Sequence, residues 1–543
     1  MRISILCCVA CLALISGCVR PRAGTVTGPG EGSLREADIN RSWLKPTTVG
    51  QVRLVPLLAG PRPIRGGVFW TPGAGAQRTP NSASCTDADA LWFCARDRWL
   101  AGENRREGIV NPATDPDRLL VGADLGISVR FGSPQRTLVY LGDSVGVPAT
   151  AGCGAARPRA SCNDAILVVD PADRDAEDGV SVSVAAVEAP GGRLAGFLPL
   201  VIPGVNGADA LPRCRPDAQV DLAPCLGPFN VPTGAATVRL RTALLPDAPA
   251  DAEGDTEAVL LFYGTAVTRE EMASWLAVST DGFHFSKLLA RPFSRERFIT
   301  VAPVPLRATE LAAICAAEPS SPLCEASLDL RGDAVLLFGT GEKYREGHLY
   351  LGVLRLDDLA VRYYRLDPGT GREVWVEGER EATPIIEDGS PTHAQFGEFS
   401  VSRVNAEACP SADRERCADT LVLLASQKGL VRYRTAPLAF PGARAADPEQ
   451  RAWSASRRTS GRGYGPYAFD EFTRVAPDAG GELELYLYHT LSAWNGREPG
   501  SPDRTPYGVF THRLELIDEP TCGKGGEDEI LCGEIPPPWP PGP

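Results

Sequence analysis

The runs TLVYLG (137–142), VLLFYG (259–264), VLLFGT (335–340), LVLLAS (421–426) and LELYLY (483–488) repeat one short apolar segment five times. Each is rich in Val, Leu, Tyr or Phe and lies among Gly, Pro and Asp, which reads as a strand buried on both faces. Each is preceded by a strand-like segment that opens on small or polar residues. These are ADLGISVRF from Ala123, VPTGAATVRL from Val231, RFITVAPVPL from Arg297, GEFSVSRV from Gly397 and DEFTRVAP from Asp470. Each is followed by a third: NDAILVVD from Asn163, SWLAVSTDGFHF from Ser274, HLYLGVLRL from His348, GLVRYRTAPL from Gly429 and YGVFTHRLEL from Tyr507. Fourth strands are legible at SVSVAAVE from Ser181 and VRYYRL from Val361. A unit of three or four strands cannot bury both of its faces alone, and radial packing of several such units satisfies them all. The expected fold is therefore all-β, a five-bladed β-propeller with long insertions. A pair of β-sandwiches is the alternative, but it calls for strands that alternate apolar and polar residues.

The chain has 543 residues, 43% hydrophobic and 23% charged, which excludes a disordered acidic chain and a collagen. Its formal net charge of -13 argues against nucleic acid and anionic lipid as partners, because phosphate recognition depends on clustered cations. A neutral or cationic partner suits such a surface better, and the chain is expected to act as a monomer.

The first 18 residues, MRISILCCVACLALISGC, carry one early cation, an apolar stretch from Ile3 to Ile15 and small residues before Cys18. That is the layout of an export signal, too short for a spanning helix. Ile15-Ser16-Gly17-Cys18 resembles a bacterial lipobox, which implies lipidation at Cys18 and a protein anchored in the cell envelope, at the outer membrane or the cell surface, by its lipid alone. Residues 19–50 read as a flexible tether, 51–118 as a lead-in segment, 119–518 as the propeller and 519–543 as a Pro-rich tail. With the signal and Cys18 set aside, twelve cysteines form six local couples. Cys85 is coupled with Cys94, Cys153 with Cys162, Cys214 with Cys225, Cys315 with Cys324, Cys409 with Cys417, and Cys522 with Cys532. Such couples predict disulfides that pin loop insertions in an oxidising compartment, whereas zinc sites would show tighter spacing and neighbouring His.

In a propeller the innermost strands line the axis, so the polar residues that open them converge on one mouth. This places Asp124, Thr233, Thr300, Glu398 and either Asp470 or Glu471 there, with Asp143 at the end of the first buried run. Carboxylates from separate strands are what glycosidic hydrolysis needs, one as acid and one as base or nucleophile. The competing reading is an axis whose Asp and Glu hold water or a cation or satisfy turn amides.

The segments GADLGISVRF, LVYLGDS, CNDAILVVDPADRDAEDGV, GPFNVPTGAATV, RFITVAPV, VLLFGTGEKYREGHLYLGVL, GEFSVSRVN, GLVRYRTAPL, YLYHTLSAWN and PYGVFTHRLEL resemble, in this order, the bacterial "domain of unknown function 4185" family from about Leu119 to Leu516. That family resembles five-bladed glycoside-hydrolase propellers, and some members are endo-D-arabinanases. The resemblance implies Asp124 and Asp143 as the catalytic pair, with Glu398 as acid or as tuner of a neighbour's pKa. It implies Asn163, Thr233, Arg345, Tyr464 and Trp494 around the cleft. Ser161-Cys162 stand before Asn163 where the family has an Arg. A hydrolase of another glycan, and a surface propeller that binds a glycan or protein without cutting it, remain the alternatives.

LGDSVG (141–146) imitates a GDSL esterase and DGFH (281–284) its DxxH, but GDS lies between two strands and not at a strand-to-helix turn. STDGFHF from Ser279 reads as an aspartate-box hairpin. No metal or cofactor motif is expected. DPADRDAEDG from Asp170 is the single stretch that could take a structural Ca2+, and its Gly is out of register for an EF-hand, so a solvated loop is the reading adopted.

Overall fold

The apolar runs are buried on both faces because successive side chains serve two different neighbours. In the Ala334–Thr340 strand, Val335 and Leu337 pack with Leu260, Phe262 and Leu276, whereas Leu336 and Phe338 pack with Phe399, Leu421 and Leu423. In the Asp255–Thr268 strand, Val259, Leu261 and Tyr263 join Tyr140 and Ile166 on one side, and Leu260 and Phe262 join Val335 on the other. Val139 and Leu141 of the Arg136–Gly146 strand reach Phe469, Tyr488 and Val509 near the far end of the chain. Val422 and Leu424 meet Leu487 and Leu491. A fully buried Val or Leu stabilises by about 1.5–3 kcal/mol, so these shared faces are the main reason the sheets stay together.

The computed structural model describes residues 51–57, 98–101, 120–146, 149, 164–169, 182–206, 229–246, 248–249, 251–268, 271–341, 347–386, 396–404, 420–427, 430–442, 453–454, 456–469, 473–477, 483–493 and 508–514. Cys18, the tether, the tail, the Asp170 loop, Asn163, Arg345, Asp470, Glu471 and Trp494 lie outside the described residues. Of the six expected disulfides, the bridge between Cys315 and Cys324 is formed. The other five couples, Cys85 with Cys94, Cys153 with Cys162, Cys214 with Cys225, Cys409 with Cys417 and Cys522 with Cys532, also fall outside the described residues.

All described pairings are antiparallel. The first sheet runs Leu120–Phe131, Arg136–Gly146, Ile166–Val169, Val182–Ala189, Gln51–Leu57, with Arg193–Phe197 also paired to Val182–Ala189. The second runs Phe229–Arg241, Asp255–Thr268, Glu271–Ser279, Ser286–Lys287. The third runs Thr300–Leu306, Ala334–Thr340, Tyr350–Arg355, Val361–Leu366, Glu373–Val376. The fourth runs Phe399–Arg403, Thr420–Gln427, Leu430–Pro437, Arg457–Arg462. A further sheet runs Tyr464–Ala468, Tyr488–Ala493, Gly508–Arg513, Arg98–Ala101, and Arg474–Pro477 pairs with Leu483–Tyr486 as a two-stranded ribbon.

The first strand of each larger sheet touches the first strand of the next. Leu120–Phe131 meets Phe229–Arg241, then come Thr300–Leu306, Phe399–Arg403 and Tyr464–Ala468, and the last returns to Leu120–Phe131. This closed ring is a β-propeller arrangement, and it leaves no innermost strand with an open face.

Two features differ from the sequence reading. That reading makes DEFTRVAP and LELYLY the inner and buried strands of the last unit, but they supply the ribbon. The inner strand is Tyr464–Ala468, and Tyr488–Ala493 follows it. The reason is compositional: YGPYA reads as a turn because Gly and Pro interrupt it, although all five of its residues are buried or half-buried in the ring. Segment 51–118 also contributes to the sheets. Gln51–Leu57 edges the first and Arg98–Ala101 closes the last, beside Gly508–Arg513.

Between Thr300–Leu306 and Ala334–Thr340 the chain inserts the helix Ala308–Ala317 and two 3-10 turns, joined by the Cys315–Cys324 disulfide. Pro322 O accepts from the Trp375 indole (2.7 Å), the Ser321 hydroxyl donates to Ala439 O, and Arg403 pairs with Glu310 (2.9 Å). The bridged insertion thus ties the third sheet to the fourth.

The Ser279 turn is a hairpin held by Asp281. Asp281 Oδ1 accepts from the N–H groups of Phe283 and His284 (2.8 Å each), and Oδ2 lies 2.7 Å from His284 Nδ1. Gly282 O accepts from the Tyr140 hydroxyl (3.0 Å), docking the hairpin on the first sheet. Burial raises the Asp281 pKa, but the bonds from the His284 ring and from the His284 and Phe283 main chain outweigh it and hold the carboxyl at about 2. A folded pKa below the unfolded one stabilises above the unfolded value, and the stabilisation fades as pH falls through the folded value. Asp281→Asn is therefore expected to cost about 1 kcal/mol at pH 7, a figure reduced for the exposure of the group. In thermal melts the gap to the wild type should narrow below about pH 4 and close near pH 2.

Candidate functional site

Asp124 is aimed by an irregular strand. The ladder between Leu120–Phe131 and Arg136–Gly146 shifts register between Gly122 and Asp124 and again between Leu125 and Ile127. Leu125 and Gly126 both have positive φ, 61° and 127°. Such bulges re-aim side chains, and a Leu held at positive φ costs about 1–3 kcal/mol that its surroundings must offset. Ser492 does so from the last sheet: its Oγ accepts from Leu125 N–H (2.7 Å) and donates to Leu125 O (3.3 Å), while the Leu125 side chain is buried among core residues. Asp124 then lies opposite Gly142, where a Cβ would stand 2.7 Å from Asp124 Oδ1. The Tyr464 hydroxyl donates to Asp124 Oδ2 (3.0 Å). The same offset of 340 residues relates Ser128 Oγ to Ala468 O (3.0 Å), so these two innermost strands run side by side in the same direction.

Asp143, one residue beyond Gly142, adopts φ 39°, a left-handed conformation that Asp tolerates better than most residues. Its N–H donates to Asp164 Oδ1 (3.0 Å). Around it, Leu141 N–H donates to Ala165 O (2.9 Å) and Ala165 N–H donates to Ser144 Oγ (3.1 Å), fixing the strand end. Asp164 is 1% exposed, and its Oδ2 lies 2.6 Å from the Tyr263 hydroxyl. That hydroxyl also lies 3.0 Å from Asn230 O and accepts from Asn206 Nδ2 (3.0 Å). Burial pushes the Asp164 carboxyl pKa well up. The Tyr263 contact opposes this, and the negative charges of Asp143 and Asp124 add to it. Tyr263 is likewise pushed well up, by burial and then by Asp164. The Asp143 main chain is thus tied to a buried acid, and Asp124 lies opposite Gly142, the residue before Asp143.

The other expected residues are placed as follows. Glu398 is 7% exposed, just ahead of Phe399–Arg403, and its Oε2 accepts from Ser426 Oγ (3.4 Å) in its own sheet. Next to it Ser400 Oγ donates to Pro466 O (2.7 Å) and accepts from Ala468 N–H (3.1 Å), linking that strand to the one carrying Tyr464. Thr233 is buried, with its hydroxyl on Phe262 O (3.3 Å), and Thr300 pairs with Thr340. Tyr464, expected to shape the cleft, makes its contact with a candidate carboxylate. Ser144, the Ser of the GDSL-like motif, is 5% exposed inside a strand. Among the described residues no group of three or more His, Cys, Asp or Glu side chains is placed to hold a metal ion.

Sequence reasoning passes over Asp164, Tyr263, Asn206 and Ser492. Asp164 is the residue after Asn163, at the head of a recognised strand, and Tyr263 reads as core because it ends an apolar run. The signal is available in each: a polar side chain in or beside a buried strand needs a partner.

No protein-family model matches the chain, and no curated protein matches it. Among solved structures it is similar to a fructosyltransferase from A. japonicus, at 12% identity and a TM-score of 0.32 over 77% of this chain. The chain spans 61% of that enzyme's length. It is also similar to CoXyl43, a GH43 β-xylosidase/α-arabinofuranosidase from a compost metagenome, at 10% identity and a TM-score of 0.30 over 77% of this chain and 98% of the other. A GH43_1 enzyme from Xanthomonas citri matches at 10% identity and a TM-score of 0.28 over 74% and 90%.

Proposed function

We propose that the protein is a five-bladed propeller allied to the 4185 family that hydrolyses glycosidic bonds in a polysaccharide, arabinofuranose polymers among the candidates. The observation that carries this reading is that Asp124 lies opposite Gly142, the residue before Asp143, that the Asp143 N–H donates to the buried Asp164, and that Tyr464 reaches Asp124 from the last sheet. Hydrolysis at an anomeric carbon needs one carboxyl group to protonate the leaving oxygen and another to attack or to activate water. Asp124, fixed by Tyr464 and by the bulged strand, acts as nucleophile or base. Asp143, half-buried within the Arg136–Gly146 strand, acts as acid, and Glu398 is the third carboxylate, tuning that pair. The test is release of reducing ends from a panel of furanose and pyranose polymers. Release from at least one polymer is the expected result, and no release from any of them contradicts the reading.

The lipobox reading puts the enzyme on the bacterial cell envelope, where a polymeric substrate too large to enter a cell is within reach. Metabolic labelling with a fatty-acid analogue should mark the wild type and leave Cys18→Ala unlabelled. Equal labelling of the two would exclude Cys18 as the anchor.

A further inference from the structure

The contacts around Tyr263 cannot all be hydrogen bonds if Asp164 is ionised. Asn206 is fixed in orientation, because its Oδ1 accepts from Ile202 N–H (2.6 Å) and its Nδ2 donates to Leu200 O (2.9 Å). Nδ2 therefore also donates to the Tyr263 oxygen. The tyrosine has a single proton, and two oxygens compete for it: Asn230 O at 3.0 Å and Asp164 Oδ2 at 2.6 Å. The Asn230 carbonyl can only accept. If Tyr263 donates to that carbonyl, the short contact to Asp164 is a hydrogen bond only when the carboxyl supplies the proton.

We infer that Asp164 is a neutral carboxylic acid in the folded protein, donating from Oδ2 to the Tyr263 hydroxyl and accepting the Asp143 N–H at Oδ1. The surroundings agree. Among the described residues, the charged groups near it are Asp143 from the adjacent strand and Asp124 from the innermost strand, both acidic, and Tyr263 faces it from the second sheet. Three carboxylates in one buried neighbourhood do not all ionise, and the one buried deepest keeps its proton. The direction in which burial moves Asp164 is the same.

The consequence rests on the glycosidase reading. Asp164 is a positioning residue: it holds the left-handed main chain of Asp143 in place without adding a third charge to the pair that faces the substrate. Because the acid donates through one oxygen and accepts through the other, an amide can replace it. Asp164→Asn keeps both contacts, with Nδ2 donating to Tyr263 and Oδ1 accepting from Asp143, whereas Asp164→Ala removes both.

The test is infrared difference spectroscopy of the full-length protein at pH 7, wild type against Asp164→Asn. The expected result is the carbonyl stretch of a protonated carboxyl group in the wild type that is absent in the variant. Spectra without that difference overturn the inference. A second measurement uses the sign of linkage. A carboxyl group whose pKa is raised on folding costs the wild type stability as pH rises above about 3.9, and the amide has no such cost. The melting temperature of Asp164→Asn relative to wild type should therefore climb between pH 4 and pH 8, and a constant or falling difference overturns the inference. Turnover, where a cleaved polymer has been found, should stay within about tenfold of wild type in Asp164→Asn and fall about a hundredfold in Asp164→Ala. The spectrum and the melts need no substrate. A failed glycosidase assay with the expected spectrum therefore sinks the reading of function and leaves Asp164 neutral, and the reverse pattern does the opposite.

Discussion

Asp124→Asn is expected to lower glycan cleavage by on the order of 10³-fold while the protein keeps its fold. The substitution is nearly isosteric, so the space left by Gly142 still admits the side chain and the Tyr464 hydroxyl still finds an oxygen to donate to. What is lost is the negative charge, which either attacks the anomeric carbon or takes the proton from water. Substrate binding should change little. The loss should therefore appear in kcat and kcat/KM together, as for an interaction made only in the transition state. Melting temperature is the control that separates lost chemistry from lost structure. Activity that survives the substitution would remove Asp124 from the mechanism, and the two-carboxylate account with it.

Gly234→Ala should destabilise the ring strongly. Gly234 lies on the innermost strand of the second sheet, at a register shift between Pro232 and Gly234. A Cβ there would stand 2.0 Å from the Val301 carbonyl oxygen and 2.6 Å from Pro303 Cδ on the neighbouring innermost strand. The obstacle is main chain and a proline ring, neither of which can turn aside as the tip of a flexible side chain can. The two sheets would have to separate locally, and the ring has no open edge to take up the movement. Overpacking a well-filled core costs about 1–3 kcal/mol, and a clash with main chain belongs at or above the top of that range. Thermal or denaturant melts should show the loss, with secondary structure retained below the transition. A melting temperature equal to wild type would mean that the second and third sheets do not abut as described.

Much of this architecture is legible in the sequence. An apolar run of six residues without alternation means that both faces are covered, and Val335, Leu336, Leu337 and Phe338 do serve two separate clusters in turn. The same rule misleads in the last unit, where Glu484 already breaks the pattern of LELYLY while YGPYA hides an innermost strand behind Gly and Pro. Strands paired over hundreds of residues, such as Arg98–Ala101 with Gly508–Arg513, leave no local trace at all.

The site divides in the same way. Asp124, Asp143 and Glu398 can be named because acids at strand ends stand out against apolar runs. Asp164, Tyr263 and Asn206 cannot be joined from sequence, since what links them is a hydrogen-bond network across two sheets and not a spacing along the chain. Leu125 is the sharpest example: its side chain reads as ordinary core, yet its backbone at φ 61° is what aims Asp124.

Polymer length separates cutting from holding most directly. A polysaccharide that the protein retains is incubated with wild type and then sized by gel filtration, with reducing ends counted in the same samples. A cleaving propeller shortens the polymer and creates one new reducing end per cut, and Asp124→Asn leaves both unchanged. Polymer recovered at full length from the wild type, still bound, would rule out hydrolysis and leave a propeller that holds its glycan without cutting it.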